Sequence, residues 1–504
     1  MRKISIAARN IRIWYLRCAF AVNLMAKLSI TYQGSQNKKY KLARGDRALG
    51  VMGKSNTAME ARGGSSHPVA AQLAVDDVSL IDFAKKAGKN IFSVIPDATR
   101  TQKYLKGPAN IHYVCDPEMV TELLAGAGRR FPKSQFTRNV IGAAVGNGMI
   151  LAEGEQWRAQ RHRYAPLFAA RNLPVLTSHF AATGEELASF FARAEGEVDV
   201  ADSAQEATLA NISRVMFSGS ETVSKQDIRQ GMRSFTDYIS YMSLFDLMGL
   251  PSWLPRLKWL RSKKSITDLR QLTREVIANR QAQRHAEPED FLDLLIEALE
   301  SDQEDVETTV DNLLTFVAAG YETSANTVGW ALYLLAMHPD VQQVLRDEIK
   351  SACLTGPITF ETLLKMPRLK AHVLETLRLY PAGALFARDA TDQTEIKGVT
   401  FKKGDVIMFP VYSLHRNELL WAQASQYKPD RFLDQKYQRG QFIPFGDGPR
   451  ICIGAQYAET EIMVLLGSVL RRASFSMSDH PVAPPNLTFT MRPGGPLILK
   501  STPV

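Results

Sequence analysis

A loop rich in glycine and proline, ending at a single cysteine, constrains this chain more than any other stretch. It reads F-I-P-F-G-D-G-P-R-I-C-I-G from Phe442 to Gly454, and apolar residues at helical spacing follow from about Ala455. Free backbone N–H groups at a helix start favour negative charge. Cys452 is therefore expected to have a lowered pKa and to be a good metal ligand. Glycines let the backbone fold tightly around such a sulfur, so that backbone amides can tune the ligand.

The alternative is a buried, inert cysteine packed at a helix end, which is the usual role of a lone cysteine. The surrounding residues argue against it, because they match the pattern F-x-x-G-x-R-x-C-x-G at Phe445, Gly448, Arg450, Cys452 and Gly454. This pattern resembles the haem-binding signature of the cytochrome P450 family. The resemblance implies that Cys452 is the axial ligand of a haem b (iron protoporphyrin IX) and that Gly448 belongs to the cofactor-binding loop. It also implies that Phe445 packs near the sulfur and that Arg450 reaches a haem propionate. A thiolate ligand favours O–O cleavage.

A long amphipathic stretch lies upstream of this loop. Apolar spacing predicts a helix from about Asp311 to Met337, which Pro339 ends. Within it stands A-A-G-Y-E-T-S, from Ala318 to Ser324. A glycine inside a helix costs about 1 kcal/mol relative to alanine, so Gly320 suggests that another group approaches the backbone closely.

Glu322 and Thr323 follow that glycine. An acid and a hydroxyl beside a reactive centre can relay protons, whereas Thr323 alone could simply bond back to a carbonyl one turn earlier. The stretch resembles the family's oxygen-binding motif, A/G-G-x-D/E-T, and Thr323 lies 129 residues before Cys452. The resemblance implies that Thr323 hydrogen-bonds the dioxygen substrate and that Glu322 helps to deliver protons.

Two further motifs stand in the order that the family shows. Glu375 and Arg378 form an E-x-x-R pair, and Arg431 follows in P-D-R-F. Alone, such a pair could be a surface interaction worth roughly 0.2–0.5 kcal/mol. The resemblance implies that the three residues form one structural network beneath the haem, with no chemical role.

The two carboxylates of a haem need cationic partners, for which the fork geometry of arginine is suited. Trp157 and Arg161 match the family's W-x-x-x-R, and Arg388 matches its strand arginine. The resemblance implies that these three residues bind the cofactor. Trp157 could equally belong to the core, and Arg161 to a basic helix face.

Helical periodicity dominates the chain and short strands interrupt it, which predicts a mainly α fold with small β sheets, as in the cytochrome P450 fold. One haem-thiolate domain is expected over residues 67–504, after a basic extension over residues 1–66. The predicted strands are Thr101–Tyr104, Asn110–Val114, Val399–Phe401 and Val406–Phe409.

The resemblance, to a soluble bacterial-type member, implies a monooxygenase that inserts one atom of O2 into a hydrophobic small molecule. No cysteine cluster or second unit for electron transfer is present, so a separate ferredoxin or flavodoxin with its reductase is expected. A peroxygenase that uses H2O2 is one alternative, and Glu322 with Thr323 argues against it. A non-catalytic haem-thiolate sensor is another. The substrate is not identified, and the aromatic segment Phe235–Trp259 could line a pocket or pack as core.

Four scattered cysteines make no disulfide framework or zinc spacing, so a reducing compartment, the cytoplasm, is expected. Residues 1–64 hold 13 basic and two acidic residues, a charge of +11, whereas the remainder carries −2. The main domain therefore gives no reason to expect nucleic acid. The apolar run Cys18–Ala26 has nine residues, but a spanning helix needs roughly 20. No transmembrane span is expected, although a signal peptide stays open.

The basic extension has three interpretations: an arm that binds anionic lipid, a targeting peptide, or a stretch upstream of the natural start. The third is favoured, because apolar residues there are few and aperiodic, with Met59 as a candidate start. A chain beginning at Met59 should then express, bind haem and turn over like the full-length chain. Mass spectrometry of the native N-terminus tests the start directly. Loss of folding or haem binding on truncation would show that the segment is structural.

Overall fold

The computed structural model describes residues 67–75, 86–108, 110–126, 129–194, 196–217, 230–231, 234, 257–283, 285, 290–302, 305–434 and 436–504. The basic extension, and the aromatic segment up to residue 256, lie outside these ranges. The residues from Gly64 to Val504 form one compact unit by their mutual contacts. The domain boundary at residue 66 stays a prediction.

The described chain is mainly helical, as the sequence predicts. Its α-helices are α1 Pro117–Ala125, α2 Gln135–Val145, α3 Gly154–Tyr164, α4 Leu173–Arg193, α5 Val200–Phe217, α6 Leu257–Ala282, α7 Phe291–Asp302, α8 Val306–Met337, α9 Pro339–Ala352, α10 Phe360–Leu363, α11 Pro367–Leu379, α12 Val411–Leu414, α13 Arg431–Asp434 and α14 Ala455–Arg472. Short 3-10 turns occur at Ile91–Val94, Asp97–Arg100, Ala165–Phe168, Ala170–Asn172 and Gly448–Arg450. Within the described ranges, no helix combines the length and the apolar character needed to cross a lipid bilayer.

The strands form small sheets around the helices. They are β1 Tyr104–Lys106, β2 Ile111–Val114, β3 Gly196–Asp199, β4 Phe386–Asp389, β5 Thr394–Ile396, β6 Val399–Phe401, β7 Val406–Phe409, β8 Ala473–Met477, β9 Asn486–Leu487, β10 Met491–Arg492 and β11 Ile498–Pro503. The largest sheet has the order β1-β2-β7-β4, a second has the order β3-β11-β8, and β5-β6 and β9-β10 are two-stranded.

The predicted strands agree with this topology except at the first. The bounds of β6 and β7 are those predicted, and β2 begins one residue later. The first strand was wrongly predicted at Thr101–Tyr104. Antiparallel pairing with β2 places Tyr104 opposite Val114 and Lys106 opposite His112, so the strand runs towards the turn at Gly107. Thr101–Lys103 lie outside the strand, after the 3-10 turn Asp97–Arg100.

Helix α8 runs through the core and packs against α5, α6, α11 and α14. It is buried almost continuously from Thr309 to Ala336, because its apolar and small residues cover all sides rather than one stripe. It begins five residues before the predicted start, because the Asp305 side chain accepts the backbone N–H of Thr308 and caps it. Pro339 opens the next helix, as the predicted end requires.

A buried ion pair fixes α11 to the chain that follows α12. Arg378 donates from Nε and Nη2 to the two carboxylate oxygens of Glu375, at 2.7 and 2.8 Å. Both side chains are fully buried, and Arg431 Nε lies 3.1 Å from Glu375 Oε2. The remaining donors of Arg378 bind the carbonyls of His415, Ala424 and Gln426. The structure thus brings the three predicted network residues together.

Three tyrosine hydroxyls hold the first described residues, which the sequence did not predict. Tyr333 accepts the N–H of Val69 at 3.0 Å, and Tyr380 donates to the carbonyl of Val69 at 2.7 Å. Tyr412 accepts the N–H of Ala71 at 2.8 Å. The segment from Val69 is therefore part of the packed domain.

Glu375→Gln should lower the free energy of unfolding by about 3–5 kcal/mol, because it leaves the buried guanidinium of Arg378 without its counter-ion. Urea denaturation followed by circular dichroism measures this. Asp430→Asn is the matched control, since Asp430 pairs with Arg368 on the surface at 3.6 Å. An exposed pair of this kind contributes up to about 1 kcal/mol. Equal losses for the two variants would contradict the structural role of Glu375.

Candidate functional site

The cysteine loop closes on itself through its backbone. The N–H of Cys452 donates to the carbonyl of Phe445 at 2.8 Å, which brings these two predicted residues together. Gly448 has a φ of +70°, and a Cβ there would lie 2.5 Å from the carbonyl oxygen of Leu124 in α1. Its lack of a side chain thus lets the loop pack on α1, while a direct cofactor contact of Gly448 stays a prediction.

The surroundings of the Cys452 thiol act on its pKa in opposite directions. Desolvation by the surrounding protein atoms is the largest influence and raises the pKa, although Cys452 itself lies at an exposed position. The N–H of Gly454 at the start of α14, Arg161 and Lys133 lower it. The net direction of the pKa is upward, contrary to the expectation of a lowered pKa, because desolvation outweighs the N–H of Gly454 and the two cations. A coordinating metal ion reverses this balance, since it deprotonates its thiol ligand.

Helix α8 has one accessible stretch in its otherwise buried middle. Ala318, Ala319, Gly320 and Thr323 keep accessible surface, whereas their neighbours in the helix are buried. Among the described residues outside α8, a Cβ on Gly320 would contact only Ile212 of α5, at 3.4 Å. Gly320 therefore lies against α5. The described residues show no other group that approaches its backbone closely.

The hydroxyl of Thr323 donates to the carbonyl of Ala319 at 2.6 Å. This is the local back-bond that the sequence left open as the alternative. It uses the single hydroxyl proton, while the oxygen can still accept a hydrogen bond. Glu322 is buried beside it.

A buried carboxylate joins α8 to the cysteine helix α14. Glu461 accepts hydrogen bonds from Ser324 and from Asn211 of α5, each at 2.6 Å. Burial raises the pKa of Glu461 to about 7, against the effect of these two hydrogen bonds. Because Ser324 follows Thr323 directly, this contact brings the motif of α8 and the helix after Cys452 into one region. The sequence analysis missed Glu461.

Several cations gather beside the cysteine loop. Burial and the neighbouring Arg388 and Arg450 lower the pKa of Lys133 to about 7. Burial and Arg450 lower the pKa of Arg388 to about 10. Nε and Nη1 of Arg450, and Nε of Arg388, are buried and have no hydrogen-bond partner among the described residues. Buried donors without partners need an acceptor, and carboxylates match the geometry of guanidinium groups.

Trp157 and Arg161 both lie against the cysteine loop. The guanidinium carbon of Arg450 lies 4.0 Å from the centre of the Trp157 ring. Arg161 donates to the carbonyl of Ile451 at 2.9 Å. Both residues therefore position the loop, and their contact with a cofactor stays a prediction.

Two residues beside the cysteine loop, the anion Glu153 and the cation Lys133, were not predicted from the sequence. Glu153 binds Arg450 and Arg138. It is the N-cap of α3 and has extended backbone just before the helix, so helical spacing relative to Trp157 does not mark it. Lys133 stands alone in a loop, and no local pattern marks it.

These residues fit a haem. Cys452 would supply the sulfur ligand, Ala319 and Thr323 lie on an accessible stretch of helix, and the unpartnered donors of Arg388 and Arg450 suit two propionates. The fit rests on the cluster's excess of positive charge, which a dicarboxylate neutralises.

Comparison with known proteins agrees with this chemistry. A family model described as "Cytochrome P450" matches residues 101–500. A cytokinin hydroxylase of Arabidopsis thaliana is 29% identical over 404 residues, covering 76% of this chain and 78% of that protein. The cytochrome P450 monooxygenase sphH of Aspergillus fumigatus is 28% identical over 464 residues, 84% of this chain and 85% of its own. Cytochrome P450 3A13 of Mus musculus is 37% identical over 236 residues, 44% and 46% of the two chains.

The family model covers most of the chain, and two of these relatives align along more than three quarters of it. The family implies a haem cofactor, dioxygen as a substrate and a redox partner. The protein therefore belongs to the cytochrome P450 family of haem-dependent monooxygenases, which are oxidoreductases.

Proposed function

We propose that this protein inserts one oxygen atom of O2 into a hydrophobic small-molecule substrate, while the second atom leaves as water with two electrons from a separate donor. The observation that carries the proposal is the buried cation cluster beside the Cys452 loop. Its unpartnered donors on Arg388 and Arg450 suit the propionates of haem b. When bound, a haem with a thiolate ligand supplies the activation of O2.

The side chains around the cofactor have distinct roles in this proposal. Cys452 is the iron ligand, and the N–H of Gly454 stabilises its negative charge. Arg450 and Arg388 bind the propionates, and Trp157 supports the Arg450 guanidinium from one face. Phe445 fixes the loop through its carbonyl.

Thr323 and Glu322 handle protons. The bond from Thr323 to the Ala319 carbonyl fixes the hydroxyl rotamer and leaves the oxygen lone pairs to accept a proton donor. Glu322 directly precedes Thr323, is buried and is the proposed proton source. A positioned acid and hydroxyl of this kind suit the use of O2, which consumes protons, better than the use of H2O2 by a peroxygenase.

The electron donor is an acidic ferredoxin or flavodoxin. Helix α3 carries Arg158, Arg161 and His162 around a surface hollow. Arg161 contacts the carbonyl of Ile451, the neighbour of Cys452. A basic surface beside the cysteine loop favours an acidic partner and makes the association of that partner sensitive to salt.

The proposed hydrophobic substrate class is based on the accessible stretch of α8, which contains two alanines.

We place the protein in the cytoplasm, because Cys115, Cys353 and Cys452 are free thiols and a reducing compartment suits them. A ligand panel read by the haem absorption shift tests the substrate class. Substrate-dependent NADPH consumption with added redox proteins distinguishes turnover from a sensor, which would show none.

The Cys452 assignment predicts a spectrum. The reduced, CO-bound protein should show the red-shifted Soret band of thiolate ligation. Cys452→His should remove that band while haem binding is retained, because imidazole is a neutral ligand. Cys353→Ala is the matched control, since Cys353 is a buried thiol beside Arg471 and its loss should leave the band unchanged. A thiolate band in Cys452→Ala would contradict the assignment.

The proton role of Thr323 predicts uncoupling. Thr323→Ala should keep haem and the CO spectrum, but product formation should fall by about 10²–10⁴-fold. NADPH consumption should continue and yield peroxide, because the bound oxygen loses its proton-directing partner. Thr327→Ala is the control, because Thr327 makes the same type of back-bond, to the Thr323 carbonyl at 2.9 Å. Unchanged product per NADPH in Thr323→Ala, or an equal loss in Thr327→Ala, would rule out the role.

A further inference from the structure

Glu153 holds together three segments around the proposed cofactor carboxylates. Its Oε1 accepts the backbone N–H of Lys133 at 3.0 Å and Nη2 of Arg138 at 3.2 Å. Its Oε2 accepts Nη2 of Arg450. One carboxylate thus links the chain before α2, the helix α2 itself and the cysteine loop, from its position at the start of α3.

The guanidinium of Arg450 is held from two sides by the N-cap and the first turn of α3. Glu153 binds its Nη2, and the Trp157 ring lies 4.0 Å from its Cζ. Glu153 is the N-cap of α3 and its carbonyl accepts the N–H of Trp157 at 3.3 Å, so the start of α3 sets where this guanidinium lies. With Nη2 engaged, Nε and Nη1 are the buried donors left without partners among the described residues.

The carboxylate also reduces the positive charge of the cluster. Its charge raises the pKa of Lys133 and of Arg388, against burial and the neighbouring arginines. The side chain of Glu153 is only 20% exposed, so water screens it weakly. Removing this charge leaves one more uncompensated positive charge beside the cofactor carboxylates.

We propose that Glu153 is a positioning residue that orients Arg450 towards a haem propionate and limits the positive charge at the haem, and thereby sets the reduction potential and retention of the cofactor. This rests on the proposed function, because it requires haem bound through Cys452 and Arg450. An added positive charge favours addition of an electron to the iron. A loosened Arg450 weakens the hold on the propionate.

The test compares Glu153→Gln with Glu155→Gln in the holoenzyme. Glu155 lies two residues later, in the first turn of α3, but its side chain is 85% exposed and pairs with Arg158, so its loss is screened by solvent. Spectroelectrochemical titration gives the reduction potential, and transfer to a haem-free globin gives the rate of haem loss. Glu153→Gln should shift the potential to more positive values and speed haem loss by about 10-fold. Glu155→Gln should match the wild type in both.

Glu153→Asp separates charge from position. It keeps the negative charge, so its potential should stay near that of the wild type, while its shorter side chain should speed haem loss relative to Glu155→Asp. This comparison also decides the matter if Glu153→Gln does not accumulate as holoenzyme. Equal potentials in Glu153→Gln and Glu155→Gln, or equal haem loss in the two aspartate variants, would overturn the proposal. A wild type without the thiolate CO band would instead overturn the proposed function.

Discussion

The buried pair of Glu375 and Arg378 reaches the cysteine loop through one histidine. Arg378 binds the carbonyl of His415 at 2.8 Å, and the ring Nε2 of His415 accepts the N–H of Ile443 at 2.9 Å. Burial and the charge of Arg378 lower the pKa of His415 to about 3, so the ring stays neutral and able to accept. An ion pair in α11 therefore fixes the start of the loop that ends at Cys452.

Charge burial organises the opposite side of the loop in a different way. All three guanidinium nitrogens of Arg378 donate hydrogen bonds, either to the Glu375 carboxylate or to backbone carbonyls. Arg450 and Arg388 keep buried donors without partners. A buried donor without a protein partner can bind a ligand. This contrast separates Arg378 from Arg388 and Arg450, although the side chains of all three are buried.

Local chemistry explains what could be predicted from the sequence. The start of α14 at Ala455 and the bounds of β6 and β7 follow from turn residues and short-range spacing. The start of α8 was misplaced because its cap, Asp305, precedes the apolar repeat. Glu153 and Arg450 are 297 residues apart and Asn211 and Glu461 are 250 apart, so no local pattern reveals these pairs. The pKa of Cys452 likewise depends on desolvation by residues that are distant in sequence, which spacing alone does not give.

The tyrosine contacts of Val69 and Ala71 bear on the order in which the chain folds. Their partners lie 264 residues later at Tyr333, 311 later at Tyr380 and 341 later at Tyr412. During synthesis the segment around Val69 and Ala71 leaves the ribosome before its three tyrosine partners have been translated. Contacts of such long sequence separation form slowly, because a large loop must close first. The segment translated early in the domain is thus among the last to find its native place.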